Sequence, residues 1–114
     1  MIYEIPVSPD EIQEQSFSIF GMNLRLTLYF NRISNGWQFD LLNTNSGEQI
    51  TRMQGLAVNA PALLERRLPF VLVLSDGSGL GINSMRRSEL GNRLILYAIE
   101  TEVWREAIRT NAAA

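Results

Sequence analysis

The sequence predicts one mainly β domain, an antiparallel sandwich or partly open barrel, with a short helix near residues 61–67 and another at the C-terminus. Three observations carry this prediction. Leu24, Leu26, Leu28 and Phe30 recur at every second position with Arg25, Thr27 and Tyr29 between them, so they share one face of a strand. After a polar break ending in Asn35-Gly36, Trp37, Phe39 and Leu41 alternate with Gln38, Asp40 and Leu42. Asn-Gly between two such arms favours a tight reversal, because both residues tolerate positive φ. Finally, 114 residues at 46% hydrophobic and 19% charged suffice for one core and are too apolar for disorder.

The elements follow in order. Residues 1–7 alternate, with Ile2, Glu4 and Pro6 on one side and Tyr3, Ile5 and Val7 on the other. Pro6 and Pro9 cannot donate to a ladder, so residues 1–9 read as an edge strand or an extended arm. Tyr3 and Ile5 on such an arm would dock onto a neighbour. Residues 8–11 form a turn or the first turn of a short helix. A strand at 15–20 places Phe17 and Ile19 on one face, and Gly21-Met22-Asn23 turns the chain into the strand 24–30. Strands at 37–42 and 48–54 follow, separated by the turn signal Asn43-Thr44-Asn45-Ser46-Gly47. Four consecutive strands with short connections make a meander.

The pattern changes at Gly55. Residues 61–67 include Ala62, Leu63, Leu64 and Arg66, good helix formers, with Asn59 or Ala60 at the start and Pro69 beyond the end. Phe70-Val71-Leu72-Val73-Leu74 is apolar throughout, which predicts a strand covered on both faces. Residues 75–81 read as a loop, 82–90 carry Arg86-Arg87, and Gly91-Asn92 turns the chain into a last strand at 93–99. From residue 100 the spacing becomes helical, with Val103, Trp104, Ala107 and Ile108 on one stripe. Thr101 is placed to cap this helix, and Arg105 and Arg109 favour its C-terminal end. Trp104 on this extension, residues 100–114, meets either the core or a partner.

The composition removes most chemistry. Cysteine, histidine and lysine are all absent, and every one of the ten basic residues is arginine. Disulfides, thiolate nucleophiles, Cys/His zinc sites, Schiff-base lysines and the commonest neutral-pH general base are therefore excluded. Gly77, Gly79 and Gly81 do not make GxGxxG, and Asp76 is the only carboxylate of the DGSG run, too few for calcium. No cofactor or metal is expected. The net charge of −2 and the scattered arginines argue against nucleic acid. The pairs Arg66-Arg67 and Arg86-Arg87 read as solvated or partner-facing, arginine being favoured at protein interfaces. No apolar run approaches the roughly 18–20 residues of a membrane span. The first residues carry acids and no basic side chain, unlike a secretory signal, so folding in the cytoplasm is expected.

In their order and spacing these residues resemble the phage baseplate plug family. The likeness rests on Met1–Pro9 (MIYEIPVSP), Phe17 and Ile19, Gly21, the hairpin from Leu24 to Leu42 with Trp37 after its turn, Asn45 to Gly47, Gln54-Gly55, Leu63-Leu64, the strand Phe70 to Leu74, and Leu90-Gly91 followed by Leu94 to Tyr97. The resemblance implies a β-rich structural protein of contractile-tailed phages, without enzymatic activity or cofactor. It implies a place in the central baseplate, with hub, spike, tail-tube or wedge proteins as partners. Copies would surround the tail axis with threefold or sixfold symmetry, in a virion assembled in the host cytoplasm. On that reading the interface residues are Tyr3, Ile5, Arg66, Arg67, Arg86, Arg87 and Trp104. The alternative is a free-standing ligand- or peptide-binding β domain, with Trp37, Phe39 and Phe70 lining a pocket. A carboxylate-only hydrolase using Asp40, Glu48 or Asp76 lacks paired acids at a meaningful spacing.

Overall fold

Period-two patterning becomes two four-stranded antiparallel sheets in the computed structural model, which describes residues 2–58, 61–63, 68–76 and 87–113. One sheet is the predicted meander: β2 (Ile12–Ile19), β3 (Met22–Asn31), β4 (Gly36–Asn43) and β5 (Gln49–Gly55), each beside its sequence neighbour. The other has the order β1-β8-β7-β6, built from β1 (Ile2–Ile5), β6 (Pro61–Ala62), β7 (Phe70–Asp76) and β8 (Leu94–Glu100). A helix, α1 (Thr101–Ala113), continues directly from β8. The fold is a mainly β sandwich, and the described strands do not close into a barrel.

The alternation sets the core. Leu24, Leu26 and Leu28 of β3 and Trp37, Phe39 and Leu41 of β4 are all buried, and they meet Phe70, Leu72 and Leu74 of β7 and Leu94, Leu96 and Ala98 of β8. Two sheets stack about 10 Å apart. The molecule measures 40 × 35 × 21 Å along its principal axes.

Turn chemistry fixes the register of the meander. Between β2 and β3, Phe20 at φ 51° and Gly21 at φ 74° make a two-residue reversal with both positions left-handed. A phenylalanine is unusual there, and its ring is held by stacking on Phe70 at 5.7 Å and by the Tyr3 edge at 5.4 Å. Asn35 takes φ 52° in the β3–β4 turn, as its pairing with Gly36 suggested. Asn31 Oδ1 accepts the Ile33 and Ser34 amides, which closes the other side of that turn.

Two expectations need correction, and one open choice is resolved. Of the two readings of residues 1–9, the edge strand holds: β1 is the outer strand beside β8, Ile2 opposite Ile99 and Ile5 opposite Leu96, and its alternation carries Ile5 into the core. The helix expected from residue 61 starts as strand. Pro61 and Ala62 pair with Val73 and Leu72, and Pro61 is tolerated because β6 is an edge that needs no outward N–H. Leu63 then leaves the strand at φ 71°; residues 64–67, where the rest of that helix was placed, lie outside the described residues. Thr101 puts its hydroxyl on the Leu68 carbonyl at 3.0 Å and its amide on the Pro69 carbonyl at 2.9 Å, so it moors α1 to the segment before β7. The glycine loop 77–81 and most of 82–90 also fall outside the described residues, which resume in a 3-10 turn at Arg87–Glu89.

Candidate assembly surface

A sheet packed on one side normally presents polar residues on the other. The β1-β8-β7-β6 sheet does not. Register places Ile2 beside Ile99, Val71 beside Ile99, Val73 beside Tyr97 and Ser75 beside Ile95, all facing away from the core. The unbroken apolar run of β7 thus serves two faces: Phe70, Leu72 and Leu74 fill the sandwich, while Val71 and Val73 are buried on the outer side.

α1 folds back over this outer face because Thr101 turns it there. Between the helix and the sheet lies an open groove of about 510 Å³, lined by Ile2, Val73, Ser75, Tyr97, Ile99 and Trp104. Its polar features are few. The Trp104 indole nitrogen, like that of Trp37 in the core, is buried and has no hydrogen-bond partner, an arrangement that costs free energy. Glu4 lies on the same face, opposite Tyr97, and is exposed. Arg105 stays beside Glu102 at 3.6 Å on the solvent side of the helix.

The opposite face of the molecule, on the meander, carries several paired polar groups. Glu14 pairs with Arg25 at 3.6 Å, and the Tyr29 hydroxyl donates to Asp40 Oδ1 at 3.0 Å. Burial, with Asp40 beside it, raises the Tyr29 phenol above its ordinary value. Asp40 also accepts the Met53 amide at 2.8 Å. Asp76 belongs to the other sheet, where its nearly inaccessible carboxylate meets Arg93 at 3.1 Å; Arg93 also donates to Glu89 at 2.7 Å. Glu89 and then Asp76 hold the Arg93 guanidinium even more firmly protonated than usual. Asp40 and Asp76 therefore stand on different sheets with structural partners, which gives no paired-acid site. Among the described residues, no cluster of three or more His, Cys, Asp or Glu could hold a metal ion.

The predicted interface residues divide. Trp104 lines the groove. Tyr3 is partly exposed at the sheet edge but faces inward onto Phe20, and Ile5 is buried in the core, so its side chain is not available to a neighbour. Arg66, Arg67 and Arg86 lie outside the described residues, and for Arg87 only the backbone is described. Trp37, Phe39 and Phe70 are 1%, 0% and 1% exposed, so they are core and do not line the groove. The groove residues that sequence reasoning missed are Ile2, Val73, Ser75, Tyr97 and Ile99. Their signal was present: 70–74 and 93–99 are both apolar on two faces, but nothing in the order of residues said which face α1 would leave open.

Over residues 2–102 the sequence matches the family described as cyanophage baseplate Pam3 plug gp18. The chain belongs to this baseplate plug family. The match spans both sheets and stops just inside α1, so Trp104 and most of the helix lie beyond it. Membership implies a structural protein of the phage tail baseplate, in contact with other baseplate components. No curated protein shows significant similarity to the chain. No helix among the described residues is long and apolar enough to cross a membrane.

Proposed function

We propose that this plug-family chain is a non-enzymatic component of a contractile tail baseplate, packed near the central hub and spike. Copies surround the tail axis with threefold or sixfold symmetry and meet hub, spike, tail-tube or wedge proteins, not nucleic acid or membrane. Assembly takes place in the host cytoplasm. Family membership supports the location, and the apolar outer face of the β1-β8-β7-β6 sheet supports the mode of action. That face exposes Ile2 at 58%, with a groove and an unsatisfied indole beside it. Exposed apolar patches rimmed by polar groups characterise docking surfaces. A chain without cysteine, histidine or lysine is suited to binding by shape and arginine contacts and poorly equipped for acid–base or nucleophilic work.

The test is recovery of tagged full-length chain from phage-infected or prophage-induced cells, with partners identified by mass spectrometry. Hub, spike or tail-tube proteins should co-purify, and an Ile99→Asp variant with unchanged circular dichroism should retain fewer of them. Recovery of folded monomer with no virion protein would contradict the reading.

A further inference from the structure

The groove beside Trp104 has its counterpart on the other sheet of the same molecule. β5 is an edge strand whose register with β4 shifts between Phe39 and Leu41 and again between Leu41 and Leu42. At this irregularity Met53 adopts φ 51°, a left-handed conformation that a long side chain rarely takes. The conformation is held from below by Asp40, which accepts the Met53 amide at 2.8 Å while bonded to Tyr29. Bulges of this kind re-aim side chains. Here the outcome is a methionine that is 68% exposed, beside Arg52, which is also exposed and has no carboxylate partner among the described residues. A flexible thioether adapts to irregular apolar pockets.

Groove and projection are complementary in kind and in charge. The groove is an apolar trough with Glu4 on its face; the projection is an apolar side chain with a spare guanidinium. Ile33 is more exposed, at 98%, but the charge next to it is already used, because Arg32 is bonded to Glu11. We propose that the Arg52–Met53 projection of one copy of this chain seats in the Trp104 groove of a second copy, with Met53 against the apolar lining and Arg52 facing Glu4. The two patches differ, so the contact is head-to-tail and repeats from copy to copy, closing into a ring where the rotation permits. This inference rests on the proposed structural role and names a partner for its groove.

The absence of cysteine makes disulfide trapping a direct test. Full-length Met53→Cys and Ser75→Cys chains, carrying tags of different mass, are mixed at high concentration and oxidised. Ser75 lines the groove, so the mixed disulfide dimer should exceed, several-fold, the one formed from Ile33→Cys and Ser75→Cys. Adding Arg52→Glu to the Met53→Cys chain should lower that yield, and adding Glu4→Arg to the Ser75→Cys chain should restore it. Circular dichroism of each variant confirms the fold. A yield no higher than the Ile33→Cys control, or no response to the charge exchange, overturns the inference. If trapping fails while tagged chain still retrieves hub or spike proteins, the self-contact falls and the baseplate role stands; if both fail, the role falls too.

Discussion

At the residue scale, the Tyr29–Asp40–Met53 trio couples a sheet face to an edge strand. Tyr29→Phe deletes the hydroxyl that donates to Asp40. Because the site is only half-buried, the loss should sit near the low end of the usual range, about 0.5–1 kcal/mol in urea unfolding at neutral pH. The phenol is held above its ordinary 10.0, first by desolvation and then by Asp40. The folded chain therefore keeps this proton where the unfolded chain loses it. The associated stability is fully present below that value and declines as pH rises through it. Wild-type chain should lose stability across that alkaline range more steeply than Tyr29→Phe, as read by chemical denaturation at successive pH values. Met53→Gly should act in the other direction and raise monomer stability by about 0.5 kcal/mol, since it relieves a left-handed φ and removes a side chain that packs on little. The same variant should lose self-association, which separates docking from folding. Gly91 is irreplaceable for a different reason. It takes φ 84°, and a Cβ there would stand 2.6 Å from the Val7 carbonyl oxygen. Gly91→Ala should cost more than about 1 kcal/mol in a thermal or urea melt.

At the element scale, how much of the fold the sequence reveals depends on how local the cause is. The meander was legible because period-two runs and turn residues are neighbours in sequence: Leu24 to Phe30, Asn35-Gly36, Trp37 to Leu41. β7 was legible as a strand covered on both faces, since five apolar residues in a row leave no face for water. β6 was not. The helix-forming residues of 61–67 signalled local propensity, but Pro61 and Ala62 are drawn into an edge pairing with β7 that no local signal announces. The N-terminal segment was ambiguous for the same reason, its partner β8 being most of the chain away. The placement of β1 as an edge strand carries a prediction. Ile5→Ala should destabilise by about 2–4 kcal/mol through a core cavity, whereas Ile2→Ser, on the outer face, should stay within about 0.5 kcal/mol. Urea unfolding of the two variants side by side distinguishes an integral strand from a dispensable arm. A free arm would make both values small.

At the scale of the whole molecule, a sandwich with a sealed core leaves its unfinished business on the outside. The groove under α1, the bulged edge at Met53 and the unsatisfied Trp104 indole are all features that folding of one copy leaves uncompensated. The sequence marked Trp104 as a contact candidate but could not place the groove, because that surface is assembled from β1, β7, β8 and α1, four segments brought together only by the complete fold. The absence of cysteine, histidine and lysine was legible at once, and it fits a chain whose work is done by shape. The measurement that tests this account most directly is electron cryomicroscopy of the virion that carries the chain. The account predicts several copies of a two-sheet sandwich around the tail axis in the baseplate, close to hub and spike, with the α1 groove occupied by a neighbour. Baseplate density without this sandwich, or copies whose α1 groove faces bulk solvent, would contradict it.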